Sequence, residues 1–278
     1  MRTIMITGAT NGIGKVTALE LARRGHRLIL ANRSRRKAED VRDEILAAHP
    51  KNRVDLIDLD LASRASVRAC AEEVTSICPK LDTLINNAGL TSHEQVITED
   101  GFELQFQVNA LSQFQLTLEL LPALSAAAPS QVIFVTSLMH KFGKLDFDSF
   151  RGWKKYNGQA SYNQSKLAMM LLARELAEQF HERDIAVNTL HPGAVNTGIL
   201  DGYSPFAQFF LRKVFVAPEK GARTTLFLAK QEPASMPSGK YFVKSEPART
   251  HKLVEDQEMR RKLWDVCCDF LGDTAAAA

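Results

Sequence analysis

The feature that most constrains the fold is an alternation of short β-branched runs with amphipathic segments along 278 residues. The runs "TIMIT" (3–7), "RLILAN" (27–32) and "VDLIDLDL" (54–61) are each followed by apolar residues at helical spacing. Such uninterrupted apolar runs are typical of strands that are buried on both faces of a parallel sheet. The alternation therefore predicts an α/β chain with right-handed crossovers and a doubly wound parallel sheet.

The same rhythm continues to the end of the chain and predicts about seven strands in one domain spanning 1–278. Further strands are expected at 81–86, 131–137, 185–190 and 240–243, and helices at about 100–121, at 158–181, from Pro218 and at about 252–271. The segment 197–217 departs from this rhythm. Because it follows a strand's carboxyl end, it is expected to form a lid over the ligand crevice.

Composition excludes several classes of protein. The apolar fraction of 45%, the charged fraction of 24% and the net charge of +3 fit a globular protein that binds no nucleic acid. Cysteines at 70, 78, 267 and 268 lack zinc-type spacing, so no metal and a reducing compartment are expected. Neither a signal peptide nor a transmembrane anchor of ~18–20 apolar residues is visible, and a cytoplasmic location is expected.

The stretch "TGATNGIGK" (7–15) places Gly8, Gly12 and Gly14 between the first strand and a helix. Glycines there permit a tight turn and let the backbone approach a pyrophosphate, which the free N–H groups of the helix N-terminus then bind. The spacing is G-x-x-x-G-x-G rather than G-x-G-x-x-G, and it is not a Walker A loop. A purely structural turn is the alternative.

The second strand bears on cofactor choice. An acid near its end would bind a ribose 2′-hydroxyl, but Asn32 and Arg33 stand there, followed by basic residues at 35–37. Without an acid to repel a 2′-phosphate, and with a guanidinium able to bind one bidentately, NADP(H) is favoured. For 35–37 we favour the plainer interpretation, the solvated start of a helix.

"SYNQSKLAMM" (161–170) places Tyr162 and Lys166 four residues apart, which makes them neighbours on one helix face. A nearby ammonium favours the phenolate, so such a tyrosine can exchange a proton with an alcohol or carbonyl near neutral pH. None of the other three tyrosines has a lysine four residues on. Alone, however, the pattern is weak.

The order of the motifs adds specificity. "TGATNGIG" (7–14), "DLDL" (58–61), "NNAG" (86–89), "VNAL" (108–111), "VTS" (135–137), "YNQSK" (162–166) and "HPGAVNT" (191–197) follow one another over about 2–245. In this order they resemble the classical short-chain dehydrogenase/reductase family, whose fold is a single-domain Rossmann fold. "SLMHKFGKLDFD" (137–148) and "GKYF" (239–242) resemble its retinol-dehydrogenase-like and WW-domain oxidoreductase-like branch.

The resemblance implies catalytic roles. Tyr162 would be the general acid/base, with a pKa lowered by Lys166, which would also bond the nicotinamide ribose. Ser137 would hydrogen-bond the substrate oxygen, with a helix cap or turn serine as the alternative. Asn109 would hold a water that links Lys166 to solvent, with a buried asparagine bonded to backbone as the alternative. For His140 and His191 we favour structural roles, since the phenol already serves as the acid/base.

The glycine turn, the second strand and the resemblance together define the expected cofactor contacts. They are Gly8, Thr10, Asn11, Gly12, Ile13, Gly14, Asn32, Arg33, Asp60, Leu61, Asn87, Ala88, Gly89, Tyr162, Lys166, Pro192, Gly193, Val195 and Thr197. Asn86 is expected to stabilise the sheet instead. Many NADP-preferring relatives carry a basic residue where Asn11 stands, so use of NAD(H) is also open.

Phenylalanines at 206, 209, 210 and 215 give the expected lid an apolar character that suits a lipophilic alcohol, aldehyde or ketone. Packing of the lid onto the body and contact with a membrane surface are the alternatives. The long helices would form a homodimer interface in relatives, and burial within one chain is the alternative.

The sequence thus predicts an NADP(H)-dependent oxidoreductase acting on a lipophilic alcohol/carbonyl pair. One rival is a nucleotide-sugar epimerase, but the short stretch after Tyr241 leaves little room for a sugar-nucleotide domain. The other rival is a non-catalytic protein that senses NADP(H) on the same fold, against which the intact Ser137, Tyr162 and Lys166 set argues.

Overall fold

Apolar runs form the strands of one sheet in a computed structural model that describes residues 1–193 and 217–272. Within these residues the strands are β1 Thr3–Thr7, β2 Arg27–Asn32, β3 Val54–Asp58, β4 Thr83–Asn86, β5 Ser130–Val135, β6 Ile185–His191, β7 Tyr241–Val243 and β8 Glu246–Pro247. The expected lid at 197–217 lies outside them except for Ala217, and so do Val195 and Thr197.

Helices occupy the segments between the strands. They are α1 Gly12–Arg23, α2 Arg35–Ala48, α3 Arg64–Ile77, α4 Leu104–Phe106, α5 Ser112–Glu119, α6 Leu121–Ala126, α7 Gly158–Gln179, α8 Pro218–Lys230 and α9 Gln257–Leu271. A π-helical turn, Gln107–Leu111, joins α4 to α5. Short 3₁₀ helices lie at Leu138–Phe142, Phe147–Arg151, His181–Arg183, Pro233–Ser235 and Lys252–Val254.

The strand order is β3-β2-β1-β4-β5-β6-β7-β8, and every neighbouring pair is parallel except β7 with β8. The order reverses beside β1, so that β1 and β4 lie together at the switch point where such sheets bind ligands. The predicted doubly wound α/β Rossmann fold is confirmed. The sequence did not predict β8, because its two exposed residues, Glu246 and Pro247, carry no apolar run.

Burial on both faces explains the continuous apolar runs. Along β1, Met5 packs into one core with α3, α5 and α7, whereas Ile4 and Ile6 pack into a second core with α1, α2 and α8. Side chains alternate across a strand, so each run must be apolar throughout to fill both cores. The sheet is thereby fixed between two helical layers, and the carboxyl ends of its strands are held in one row.

Three predicted helices differ in their bounds from those in the structure. The helix expected at 100–121 begins at Leu104, passes through the π turn and ends at Glu119. The helix expected at 158–181 runs from Gly158 to Gln179, and the Asn157 side chain caps it by accepting a hydrogen bond from the Ala160 amide at 2.9 Å. The expected C-terminal helix at 252–271 is divided into a 3₁₀ turn and α9.

Candidate active site

The glycine turn after β1 has a backbone that only glycine accommodates. Gly8 has φ of +68° and Gly12 has φ of +52°. A side chain at Gly14 would collide with the Gly8 carbonyl and with the Asn87 amide, which would lie 2.5 Å away. The first turn of α1 therefore approaches the loop closely, as a pyrophosphate-binding turn requires.

The loop after β4 holds this turn in place. The Thr7 hydroxyl accepts hydrogen bonds from the amides of Asn87 and Ala88, both at 3.0 Å. The Asn87 side chain donates to the Thr7 and Gly8 carbonyls at 2.9 and 3.0 Å. Asn87, expected at the adenine-side ribose, thus contacts the glycine turn through its side chain. The sequence did not predict that Thr7 and Asn87 hydrogen-bond the two loops to each other. Polar residues at strand ends do not indicate in the sequence which other loop they will contact.

Within the part of the chain that the structure describes, the N-terminus of α1 has no side-chain cap from its N-cap residue. Asn11 makes no side-chain capping bond, and the first turn of α1, which includes Ile13, contains no acid. Before it, the Ala9 amide donates to the Asn32 side chain at 2.6 Å. The other side-chain atom of Asn32, Nδ2, is buried without a partner among the described residues. Free helix N–H groups and a positive dipole end suit a phosphate here, beside Thr10.

The basic residues after β2 fall into two groups. Arg33 is exposed just after the end of β2, and β2 itself contains no Asp or Glu. Arg35 begins α2 and is engaged instead with β3, donating to the Leu56 carbonyl at 3.0 Å and lying 3.5 Å from Asp58. This arrangement matches the interpretation of 35–37 as the start of a helix.

Asp60 and Leu61 lie just beyond β3. One carboxylate oxygen of Asp60 accepts from the Ala62 amide at 2.9 Å, which shapes the turn. Leu61 is buried, and its carbonyl accepts from the Ser112 hydroxyl at 2.7 Å. Both residues therefore sit at the sheet edge where the adenine end of a dinucleotide is expected.

Three predicted catalytic side chains meet beyond the carboxyl end of β5. Tyr162 and Lys166 project from α7, with the Lys166 Nζ 5.8 Å from the centre of the Tyr162 ring. The Ser137 side chain lies close enough to the Tyr162 hydroxyl to lower its pKa. Lys166 is only 4% exposed and donates to the Val135 carbonyl at 3.4 Å. The helix face and the strand end thus bring together a phenol, a hydroxyl and an ammonium.

Electrostatics at this cluster differ from the expectation for Tyr162. Burial raises the pKa of Tyr162 above its usual 10, and the nearby Ser137 side chain opposes this rise. Burial also lowers the pKa of Lys166 from 10.5 to about 8. The predicted lowering of the tyrosine pKa by Lys166 is not found here, because desolvation acts on both groups and favours their neutral forms.

Asn109 lies within the π-helical turn, and such turns are frequent at functional sites. Its side-chain nitrogen donates to the Leu90 carbonyl at 2.9 Å and to the Ser165 hydroxyl at 3.0 Å, and its oxygen accepts from the Leu90 amide at 2.9 Å. A Cβ at Gly89 would lie 3.1 Å from that oxygen and 3.3 Å from the Lys166 Nζ. Glycine therefore leaves space between the asparagine and the lysine.

Ser137 is also the N-cap of the 3₁₀ turn Leu138–Phe142, since its hydroxyl accepts from the Met139 amide at 3.3 Å. The predicted alternative of a cap serine thus describes a second role of the same side chain. His140 and His191 both contact this turn, with neither ring bonded to Tyr162. Pro192 and Gly193 follow His191, and Gly193 has φ of +92°.

Residues 1–193 and 217–272 contain neither a cluster of metal ligands nor a helix able to span a membrane. There, His, Cys, Asp and Glu side chains form no group of three that could ligate a metal. None of the helices in those ranges combines the length and the apolar character needed to span a bilayer. All four cysteines are free thiols.

This chain is similar to known proteins over most of its length. The family model "short chain dehydrogenase" matches residues 2–206. Retinol dehydrogenase 13 of Homo sapiens is 42% identical over 98% of this chain and 85% of its own length. An uncharacterized protein from Mycobacterium paratuberculosis is similar in structure, with a TM-score of 0.79 and 31% identity over 97% of this chain and 93% of that one. The Pseudomonas aeruginosa RhlG/NADP active-site complex has a TM-score of 0.71 and 26% identity, over 87% and 93%.

Proposed function

From the premise that this chain belongs to the short-chain dehydrogenase/reductase family, near its retinol dehydrogenases, we propose that it interconverts a lipophilic alcohol and its aldehyde or ketone with NADP(H). Membership makes the chain an oxidoreductase acting on CH–OH groups. The proposal adds the cofactor, the catalytic residues and the substrate class. It is carried by one observation: Tyr162, Ser137 and buried Lys166 lie together beyond the carboxyl end of β5.

The residues present fit a dinucleotide. A side chain at Gly14 would collide with Gly8 and Asn87, and one at Gly8 would collide with Ala88. The N-terminus of α1 has no side-chain cap from Asn11 and no acidic residue in its first turn. Near the same turn, the buried side-chain nitrogen of Asn32 has no hydrogen-bond partner among the described residues. Exposed Arg33 would meet a 2′-phosphate, while Asp60, Gly89, Lys166, Pro192 and Gly193 border the rest of the site. Val195 and Thr197 stay predictions.

The protein's own part of the chemistry is to move a proton. When bound, the cofactor supplies or accepts a hydride directly, without a metal. A raised pKa keeps Tyr162 as the phenol near neutral pH, which is the form that donates a proton to a carbonyl oxygen. Ser137 holds that oxygen beside the phenol. Lys166 and Asn109 lie on either side of the space over Gly89. Through them a proton from solvent would reach Tyr162 again after it has donated its own.

Two features support a lipophilic substrate. Leu138 and Phe142, on the turn that begins at Ser137, are 38% and 65% exposed, so the turn beside the site presents apolar surface to solvent. The relative named retinol dehydrogenase 13 suggests, by its name, a long apolar alcohol. A homodimer and a cytoplasmic location also stay predictions.

Turnover can be tested by mixing the purified protein with NADPH and a panel of aliphatic and aromatic aldehydes while following the nicotinamide absorbance. We expect NADPH oxidation that is faster for longer apolar aldehydes, because they bury more surface. Tight NADPH binding with no turnover on any aldehyde would contradict the proposal and favour the NADP(H)-sensing protein.

Cofactor preference can be tested by comparing Arg33→Ser with Arg36→Ser, a matched loss of one exposed arginine on α2. Losing the guanidinium that meets a 2′-phosphate should weaken NADPH binding by about 10- to 100-fold, the worth of a charge-assisted bond of ~1.5–3 kcal/mol. NADH binding should be unchanged in both variants. Equal NADPH affinities in the two variants would remove Arg33 from the site.

A further inference from the structure

Two histidines that the proposed reaction leaves unused contact the same peptide group, the one that joins Ser137 to Leu138. The His140 Nδ1 lies 2.6 Å from the Ser137 carbonyl oxygen. On the other side of the same peptide, the Leu138 amide donates to the His191 Nδ1 at 3.2 Å. One histidine thus contacts the carbonyl and the other accepts from the N–H.

The chemistry of the contacts fixes opposite tautomers on the two rings. A carbonyl oxygen only accepts, so the His140 Nδ1 must carry the proton and donate it. A backbone amide only donates, so the His191 Nδ1 must be unprotonated, with the proton on Nε2. Burial lowers the pKa of both imidazoles, that of His191 to about 4, which keeps them neutral.

The surroundings of His140 leave its ring one hydrogen bond among the described residues, the one from Nδ1 to the Ser137 carbonyl oxygen. The side chain is fully buried, and its Nε2 has no hydrogen-bond partner among the described residues. The Tyr241 ring packs edge-on against it, with centroids 4.9 Å apart. A buried ring nitrogen without a partner costs free energy, and the short Nδ1 contact is the bond that offsets it.

We propose that His140 and His191 are positioning residues that clamp the Ser137–Leu138 peptide and so aim the Ser137 hydroxyl at Tyr162. The backbone supports the same turn, since the His140 amide donates to the Ser137 carbonyl at 3.2 Å and the Gly143 amide to the His140 carbonyl at 3.1 Å. Without the clamp the peptide can rotate, and the serine leaves the tyrosine. The kinetic role rests on the proposed function, whereas the tautomers do not.

The tautomers are tested by ¹⁵N NMR of the full chain labelled at histidine, with His140→Asn and His191→Asn used to assign the signals. We expect a protonated Nδ1 in His140 and a protonated Nε2 in His191. The same tautomer in both rings, or rapid exchange between tautomers in both, would overturn the clamp whether or not the protein turns over a substrate.

The positioning role is tested with His140→Leu and His140→Asn, using the aldehyde that the unmodified protein reduces fastest. The asparagine Nδ2 occupies the place of the imidazole Nδ1 and keeps a donor. We expect kcat to fall by about 10- to 100-fold in His140→Leu, because small misplacements of reacting groups are costly, and to stay at least about tenfold higher in His140→Asn. NADPH affinity should change little.

A matched control is His181→Leu, which changes an exposed histidine beyond the far end of α7 and should leave kcat unchanged. Thermal melts of all three variants measure any loss of folding. Equal kcat in the leucine and asparagine variants of His140 would overturn the positioning role. An unmodified protein that reduces no aldehyde but shows the two tautomers would overturn the proposed function and support the clamp alone.

Discussion

At the scale of single residues, burial explains the chemical state of the site. Lys166 is an amine enclosed by the sheet, α7 and Gly89, and it bonds only weakly to the Val135 carbonyl. The Lys166 Nζ lies 5.8 Å from the centre of the Tyr162 ring, and burial raises the pKa of that tyrosine. The residues that would perform the reaction are therefore held at a cost to the folded state.

Replacing Lys166 should make the cofactor-free protein more stable. Burial lowers its pKa from 10.5 to about 8, so below pH 8 the lysine is charged in both folded and unfolded chains and the full burial cost is present. The cost falls as the pH rises above 8 and disappears above 10.5, where the lysine is neutral in both the folded and the unfolded chain. At pH 7, Lys166→Met should raise the free energy of unfolding by up to about 3 kcal/mol.

Urea denaturation of Lys166→Met measured from pH 7 to pH 10 checks this, with Lys144→Met, an exposed lysine, as the control. The gain should shrink as the pH rises, and catalysis should be lost. If the free energy of unfolding of Lys166→Met at pH 7 is equal to or lower than that of the unmodified protein, burial of the Lys166 ammonium does not destabilise the fold.

At the scale of elements, the site depends on how closely the 3₁₀ turn after β5 packs against α7. A Cβ at Gly143 would lie 2.6 Å from the Asn163 carbonyl oxygen and 2.7 Å from the Leu167 Cβ. Glycine thus sets the separation between the turn that carries Ser137 and the helix that carries Tyr162. The close contact between Gly143 and the backbone of α7 therefore influences how far the Ser137 hydroxyl lies from the Tyr162 hydroxyl.

Gly143→Ala should therefore push the turn away from α7. We expect kcat to fall by tenfold or more, and the free energy of unfolding to fall by about 1–3 kcal/mol, as is usual when a close-packed contact is overfilled. Gly25→Ala serves as the control: a Cβ there meets nothing within 4 Å, although φ is +76°, so only backbone strain is added. Equal kcat in the two variants would show that the turn does not position Ser137.

Elements also mark the limit of what the sequence predicts. Strands β1 and β2 were predicted at their observed bounds, because fully buried strands leave uninterrupted apolar runs. The π turn at Gln107–Leu111 was not, since a π turn changes hydrogen bonding without changing the apolar pattern. Motif order predicted catalytic roles for Ser137, Tyr162, Lys166 and Asn109, and these roles stay predictions. It carried no sign of the histidine clamp, which arises from backbone groups that have no sequence signature.

At the scale of the whole molecule, a buried ion pair joins the C-terminal helix to the helix of the site. Arg260 on α9 donates to Glu175 on α7 at 3.1 Å and to Glu178 at 2.8 Å, and the side chains of Arg260 and Glu175 are 3% and 2% exposed. Arg260 also donates to the Val254 carbonyl at 3.0 Å. The last helix is thus fixed to the element that carries Tyr162.

Arg260→Met should reduce the free energy of unfolding by about 3–5 kcal/mol, because Glu175 is left as a buried charge without its partner. The double variant Arg260→Met/Glu175→Met should recover part of this loss, since no buried charge is then left unpaired. Denaturation of these variants, beside the exposed control Arg261→Met, measures the effect. A single variant as stable as its control would show that the pair does not hold the two helices together.

The central claim, that the Tyr162 hydroxyl exchanges the proton, is tested most directly by single-turnover kinetics of Tyr162→Phe with saturating NADPH and the best aldehyde. NADPH affinity should stay within about threefold of the unmodified protein, and the rate of NADPH oxidation should fall by about 10²- to 10⁴-fold, the usual contribution of general acid catalysis. A variant that oxidises NADPH at a rate within a few-fold of the unmodified protein would contradict it.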